Sequence, residues 1–284
     1  MTAQVTVGLD GSEQSLAAAR WAAEEAVLRE VPLRLTHVEE WPTAPEMPAS
    51  HLRAAAERIE ELLREAAERA RKDHPGLEVH GEQVRGRAVE KLTSAANEAD
   101  LTVLGSRGLG GCAGFLVGSV SLAVVGAASR PVVLVRAEDE RGPSGGIVVG
   151  VDVDHPCEPL LAFSFAEAAR RRLPLRFLHS WTLPPAYGYA AMVDPGAGVE
   201  LGDRLAAELD GLLEPWRRRF TDVEASSGAV VGSPAYQMAE AAREADLVVV
   251  GRRGRKVPLG SHVGHVAHAV IHHSPAPVAV VPLS

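Results

Sequence analysis

The sequence predicts two consecutive doubly wound α/β domains, each built on an open, parallel, five-stranded sheet that helices cover. A length of 284 residues corresponds to about two domains of ordinary size. In each half, apolar strands alternate with helical patterns, and short all-apolar strands suit sheets that are buried on both faces. Stretches of the first half also recur in the second half, so the same domain is expected twice.

The repeat can be followed along the whole chain. A strand that starts Pro-Leu-Arg, and a Glu-Ala-Asp-Leu segment that leads into a strand ending in Gly, occur once in each half. The matching pairs are residues 5–10 and 148–152, 32–37 and 174–179, 98–108 and 244–254, and 130–135 and 276–281. Residues 139–146 are charged and then rich in Gly, Pro and Ser, as linkers are. We therefore predict a first domain over residues 1–138, a linker over 139–146 and a second domain over 147–284.

The elements of the first half follow one another as β-α-β-α-β-α-β-α-β. Ser12 precedes the first helix, where its hydroxyl can accept a hydrogen bond from the free amides of the first turn. In the second helix, apolar residues at spacings of three and four indicate one buried face. The predicted strands are residues 5–9, 33–38, 79–84, 101–104 and 132–135, and the predicted helices are 13–29, 51–72, 88–97 and 118–128.

Composition excludes several classes of protein. Acidic residues outnumber basic residues by 37 to 29, for a net charge of −8, which argues against nucleic acid as the main partner. No apolar run approaches the roughly 18 residues that a membrane span needs, and the first residues do not have the pattern of a signal peptide. Because Cys112 and Cys157 are the two cysteines, no disulfide framework is expected. We therefore expect a cytoplasmic protein.

A glycine motif follows the fourth predicted strand. Gly105-Ser-Arg-Gly108 leads, after nine residues, to Gly118-Ser119 at the start of a helix. The glycines allow a sharp turn and a close approach of the backbone to a ligand. Free N–H groups and the positive end of the helix dipole favour a phosphate at the helix start. The motif differs from a Walker A loop, which needs Gly-Lys-Ser/Thr, and from the dinucleotide fingerprint, which follows the first strand.

Together with residues 7–12 (Val-Gly-Leu-Asp-Gly-Ser) at the first strand, this motif resembles the ATP-binding type of universal stress protein, and the resemblance covers nearly all of both halves. It implies a Rossmann-like fold of the adenine nucleotide alpha hydrolase-like type, with strand order 3-2-1-4-5. It also implies that Asp10 and Val38 contact the adenine and ribose side and that the glycine loop holds ribose and phosphates. The implied nucleotide-binding residues of the first half are Gly8, Leu9, Asp10, Val38, Gly105, Arg107, Gly108, Gly118, Ser119 and Val120.

The second half keeps part of this set. Ser180 stands where the first half has Val38, and His265 stands where it has Ser119. The backbone part of a phosphate cradle is kept, while the small hydroxyl is lost. Both retained nucleotide binding and a purely structural role are therefore open for this half. The implied residues are Asp152, Ser180, Gly251, Gly254, Gly264 and His265.

Five histidines lie near the end of the chain: His262, His265, His268, His272 and His273. Three of them share one helix face at spacings of three and four, as metal ligands could. No carboxylate or cysteine in the same segment completes a ligand set. We therefore interpret the group as a surface or interface stripe and predict no protein metal site.

The resemblance implies an ATP-binding regulator of stress response or dormancy, with Mg²⁺ near the phosphates and an unidentified regulatory protein as partner. No nucleophile or general base is evident beside the glycine motif, so no catalytic residue is predicted. Two alternatives stay open: a slow ATPase or nucleotidyl-transferring enzyme that uses Ser119 and a metal, and an interaction module without nucleotide. We also expect the halves to form a pseudo-twofold pair through residues 132–135 and 278–281, because apolar edge strands favour pairing. A homodimer is left open.

Overall fold

The computed structural model describes residues 3–40, 49–106, 117–137, 145–155, 158–182, 196–253 and 263–283. The chain forms two compact units, which divide between Asp139 and Glu140. None of the helices in the described ranges is long and apolar enough to cross a bilayer.

The first unit has the predicted alternation of strands and helices. Its elements are β1 (Val5–Gly8), α1 (Glu13–Arg29), β2 (Leu33–Glu39), α2 (Ala49–Asp73), β3 (Val79–Arg85), α3 (Ala88–Glu98), β4 (Leu101–Gly105), α4 (Ser119–Ala127) and β5 (Val132–Val135). The strands pair in parallel in the order β3-β2-β1-β4-β5, which confirms the expected order 3-2-1-4-5. Every residue of β4 and β5 is buried, because these predominantly apolar strands have helices on both faces of the sheet.

Local sequence sets both ends of α1. Ser12 has extended backbone angles and its side chain accepts a hydrogen bond from the Ser15 amide at 3.2 Å, as predicted for a helix N-cap. The helix stops at Glu30, which adopts the left-handed conformation with φ 57°. Ala residues along the buried face allow the helix to lie close to the sheet.

The second unit repeats this topology. Its elements are β6 (Ile147–Gly150), α5 (Glu158–Arg171), β7 (Leu175–Trp181), α6 (Gly196–Arg219), β8 (Ala225–Val231), α7 (Pro234–Ala241), β9 (Leu247–Arg252), α8 (His265–His273) and β10 (Val278–Pro282). The strands run parallel in the order β8-β7-β6-β9-β10. Even the register is repeated, since Ile147 pairs with Leu175 and Leu247 as Val5 does with Leu33 and Leu101. The predicted duplication is therefore confirmed at the level of single residue pairs.

The connection order creates a switch point in each sheet. The chain builds outward from β1 to β3, then returns to β4 on the other side of β1. Ligands of doubly wound proteins bind beyond the carboxyl ends of the strands at such a point. The first and fourth strands of each unit therefore define where a site is expected.

Candidate functional site

A cavity of about 510 Å³ lies at the carboxyl ends of β6, β7 and β9 in the second unit. Five predicted site residues, from four separate places in the sequence, line it: Asp152, Ser180, Gly251, Gly264 and His265. Gly254 lies outside the described residues. The fold thus brings residues that are about a hundred positions apart onto one surface at the switch point.

The absence of a side chain does not have the same effect at every glycine around this cavity. A Cβ on Gly251 would lie 2.7 Å from Leu283 Cδ1, and one on Gly150 would lie 3.2 Å from Met238 Sδ. Packing therefore disfavours side chains at these two positions. A Cβ on Gly264 would meet no atom within 4 Å, so this glycine instead leaves open space where a ligand could approach the backbone.

The start of α8 forms part of the cavity wall. Gly264 is its N-cap and makes no side-chain cap hydrogen bond. The first intrahelical bond runs from the His268 amide to the Gly264 carbonyl oxygen at 2.9 Å. Amides of the first turn in a helix have no intrahelical acceptor and carry partial positive charge, which suits an anion. His265 is exposed at this position.

An ion pair crosses the mouth of the same cavity. The Asp152 Oδ2 atom accepts a hydrogen bond from the Arg253 guanidinium at 2.5 Å and lies 3.2 Å from His155 Nδ1. Burial opposes ionisation of Asp152, but Arg253 and His155 outweigh it and lower the pKa of this carboxyl. Sequence reasoning missed Arg253, although it aligns in the repeat with Arg107, which the resemblance had implicated.

A histidine of the second strand contacts the chain just after the first strand in both units; His37 is half-buried and His179 is buried. The His37 Nδ1 atom lies 2.7 Å from the Leu9 carbonyl oxygen, and His179 Nδ1 lies 3.1 Å from that of Val151. The Val153 amide also donates to His179 Nδ1 at 3.4 Å. His179 also lines the cavity. Sequence reasoning missed both histidines as site residues, although the repeated Pro-Leu-Arg-x-x-His segments contain them.

In the first unit, the chain after β1 folds into a tight turn. The Asp10 Oδ1 atom accepts hydrogen bonds from the Ser12 amide at 2.9 Å and the Ser12 hydroxyl at 2.5 Å. The Leu9 amide donates to the carbonyl oxygen of Thr36, in the middle of β2, at 2.9 Å. Gly8 is required by packing, because a Cβ there would lie 2.7 Å from Leu104 Cδ2. Asp10 therefore has a structural role in the turn, while the turn holds it at the switch point.

The two ends of the glycine motif are held together. The Gly118 amide donates to the Ser106 carbonyl oxygen at 2.8 Å, and Ser106 in turn donates to Val135 in β5. The Ser121 hydroxyl, in the first turn of α4, donates to the Gly105 carbonyl oxygen at 2.8 Å. These bonds fix the start of α4 against the end of β4, so a ligand at that end would face the helix N-terminus.

The other first-unit residues of the predicted site are placed as follows. Ser119 is exposed and Val120 is half-buried in the first turn of α4. Val38 is half-buried near the end of β2, in register with Val84. Arg107 and Gly108 lie outside the described residues.

The histidine stripe lies on the outer face of α8. Of the three histidines predicted to share one face, His265 and His268 are exposed and His272 is half-buried. His273 is exposed as well, while Ala267, Val270 and Ile271 are buried. The rings of His268 and His272 are 4.4 Å apart. Among the described residues, no group of three His, Cys, Asp or Glu side chains could hold a metal ion. His262 lies outside the described residues.

The fold defines a tandem of doubly wound α/β units, with a cavity at the switch point of the second unit. The universal stress protein family matches residues 1–136 and again 145–282. A universal stress protein of Mycolicibacterium smegmatis is 32% identical over 98% of this chain and 96% of its own length. Universal stress protein Rv2005c of Mycobacterium tuberculosis is 34% identical over 97% of this chain and 96% of its own length. A crystal structure of a universal stress protein from Archaeoglobus fulgidus has the same fold, with a TM-score of 0.72 and 18% sequence identity. The match covers 99% of this chain and 98% of that protein. The chain belongs to the universal stress protein family, as a tandem of two domains.

Proposed function

We propose that the chain is an ATP-binding regulator and that its first unit holds the tighter of two sites. The observation that carries the proposal is the convergence of the predicted residues on one cavity at the carboxyl ends of the second-unit strands. The first unit has the same topology and keeps the small hydroxyl, Ser119, at the helix start. A nucleotide needs an anion site next to an apolar wall, and both are present around this cavity.

Each part of the site has a chemical task in this proposal. The uncapped first turns of α4 and α8 bind phosphate oxygens through backbone amides. Asp10 and Asp152 accept hydrogen bonds from ribose or adenine. In the second unit, apolar residues such as Leu178 and Met238 pack against the base.

Mg²⁺ fits this site as a companion of the phosphates. Mg²⁺ in proteins is commonly held by one or two protein oxygens, several waters and the phosphates of its nucleotide. Ser119 is an oxygen donor of this kind at the start of α4 in the first unit. The ion would neutralise phosphate charge there and would not need a full set of protein ligands.

We propose a regulatory role in stress response or dormancy, carried out in the cytosol with an unidentified protein partner, rather than catalysis. Regulation requires that nucleotide binding changes what the protein presents to that partner. A slow ATPase or nucleotidyl transferase is the competing function, and turnover of labelled ATP separates the two. Pairing of the units through β5 and β10 stays a prediction.

The test starts with the ligand carried by freshly purified protein, identified by chromatography after heat release. Calorimetry of the full chain with MgATP should then give micromolar binding, on the order of −8 kcal/mol. Gly118→Val puts a side chain at the first site and Gly264→Val puts one at the second. Gly211→Ala, in α6 and with open space around it, is the control. If neither valine variant changes ATP binding while both stay folded, the proposed site is wrong.

A further inference from the structure

A second cavity, of about 320 Å³, lies between α1 and α2 in the first unit. Its floor is formed by the buried residues Ala23 and Ala70, and its walls include the half-exposed Leu16 and Leu62. The charged side chains at its rim are Arg20, Glu24, Glu65, Arg69 and Asp73, with His74 beside them. None of the described nucleotide-site residues lines it. We call this cavity the α1–α2 groove.

Repeated hydrogen bonds show which second-unit residues correspond to this groove. In α1, Arg29 pairs with the buried Glu25, as Arg171 pairs with the buried Glu167 in α5. Near the end of α2, Arg71 donates to the Val79 carbonyl oxygen at 2.6 Å, as Arg217 in α6 donates to that of Ala225 at 3.2 Å. The helices therefore align residue by residue. The aligned pairs are Ala23 with Phe165, Ala70 with Trp216, Asp73 with Arg219, and His74 with Phe220.

In the second unit, aromatic rings fill the corresponding space. The Phe165 ring centre lies 5.8 Å from that of Trp216 and 5.5 Å from that of Phe220. The Arg219 guanidinium stands 5.8 Å and 5.5 Å from the same two ring centres. These are distances for ring–ring and cation–π attraction. The fold itself thus shows what this groove accommodates: aromatic rings covered by a cation.

The first unit leaves the space open and surrounds it with exposed apolar surface. Val27 is 44% exposed and Leu28 is 37% exposed on α1, one turn beyond the groove floor. The second unit has Ala169 and Arg170 at these positions, and Arg170 is paired with Glu167 at 2.8 Å. Exposed large apolar residues on a helix that also lines a cavity are typical of a recognition surface.

We propose that the α1–α2 groove receives an aromatic side chain of a partner protein, with a Lys or Arg of that partner close by. Charge complementarity selects the cation. Asp73 stands where the second unit has Arg219, so a carboxylate replaces the covering cation. With Glu24 and Glu65, three carboxylates stand at the rim, and they outnumber its two arginines, Arg20 and Arg69. An aromatic residue in such a pocket, flanked by a cation, is a common anchor of protein interfaces. The groove's role does not depend on nucleotide binding.

The test uses the full chain and a fluorescein-labelled peptide that copies residues 212–221, which carry Trp216, Arg219 and Phe220. Anisotropy should show saturable binding. Ala70→Trp, which fills the groove as the second unit does, should weaken binding by at least about tenfold. Ala55→Trp, at an exposed position of the same helix, should leave it unchanged. Asp73→Lys should weaken binding by about threefold or more and remove its salt dependence.

Two results would overturn the proposal: no saturable binding by the wild type, or equal binding by wild type and folded Ala70→Trp. If Ala70→Trp does not fold, methyl-labelled wild-type protein decides the matter. The peptide should then shift the Leu16 and Leu62 methyl resonances. Shifts confined to other methyl groups would place the peptide elsewhere and refute the groove as its site.

Discussion

The carboxylates that follow the first strand of each unit occupy the same place in the topology but have different partners. Asp10 accepts hydrogen bonds from the amide and hydroxyl of Ser12, two residues away. Asp152 is paired with Arg253, about a hundred residues away, and with His155. Asp10 is thus bonded within a local turn, and Asp152 is bonded to the chain that follows β9. Duplication of the fold preserved the position of the carboxylate, while the residues that directly follow it differ between the units.

The helix starts that face these carboxylates differ as well. In α4, the Ser121 hydroxyl binds the end of β4 at 2.8 Å, whereas α8 has Ala267 at the aligned position. The first helical residue is Ser119 in one unit and His265 in the other. We therefore expect the first unit to present a compact anion site and the second a more crowded one.

The largest expected effect concerns the packing between the helices. Phe165→Ala should destabilise the second unit by about 3–5 kcal/mol, because it removes the fully buried ring at the centre of the aromatic cluster and leaves a cavity. Chemical denaturation, followed by Trp fluorescence and circular dichroism, measures the loss. Tyr236→Ala, at a position 62% exposed, should stay within about 0.5 kcal/mol of wild type. A loss below about 1 kcal/mol for Phe165→Ala would mean that the cluster is not a core.

The next effect is the difference in ATP affinity between the units. In full-length protein, Gly264→Val isolates the first site and Gly118→Val isolates the second. We expect the first site to bind ATP about ten- to a hundredfold more tightly, or about 1.5–3 kcal/mol, because Ser119 offers a hydroxyl that His265 lacks. Calorimetry at about pH 7.5 measures both. Equal affinities would contradict the proposal that the first site binds ATP more tightly than the second.

The same pair of variants shows whether the histidine ring takes part. An imidazolium attracts phosphate through its charge, whereas a neutral imidazole does not. The second site should therefore gain affinity at about pH 5.5. That gain should be absent in His265→Ser, which should instead approach the first site at pH 7.5.

A smaller effect is expected from the serine that holds α4 to β4. Ser121→Ala should cost about 1 kcal/mol, because it removes a buried hydrogen bond to the Gly105 carbonyl oxygen. The reciprocal change, Ala267→Ser, offers the second unit the same bond and should cost less or stabilise it. Thermal unfolding of both variants measures the difference. If both substitutions destabilise equally, the bond is not what distinguishes the two helix starts.

Much of this arrangement follows from the sequence, because it depends on local patterns and on a repeat. The Ser12 cap, the buried strands and the strand order are of this kind, as is the meeting of Asp152, Gly251 and Gly264 at one edge. Topology places the carboxyl ends of β6 and β9 side by side, whatever the loops contain.

What the sequence did not reveal depends on contacts between side chains that are distant in the chain. To predict the pairing of Arg253 with Asp152, one must know how the chain segments after β6 and β9 lie relative to each other. The α1–α2 groove needs the relative position of two helices, and only the contrast of Ala70 with Trp216 in the aligned repeat hinted at it. Such contacts are decided by packing and not by the spacing of residues along one element.

The smallest expected effect is electrostatic and tests the contrast between the two carboxylates directly. Burial alone would raise the pKa of Asp152, but Arg253 and, less strongly, His155 outweigh it and lower the pKa. A carboxyl whose folded pKa is lowered stabilises the fold above its unfolded value of about 3.9, and that contribution is lost as the pH falls through the folded pKa. Arg253→Met should therefore raise the pKa of Asp152 and shift the acid-induced loss of stability to higher pH.

The energy involved is small, because the side chains of Arg253 and Asp152 are 53% and 44% exposed and water screens such a pair to below about 1 kcal/mol. Carboxyl-carbon NMR titration of Asp152 in the full chain detects the shift even so. His155→Ala should raise the pKa less than Arg253→Met does, since Arg253 is the stronger partner. An Asp152 titration that is the same in wild type and Arg253→Met would show that the ion pair does not form in solution.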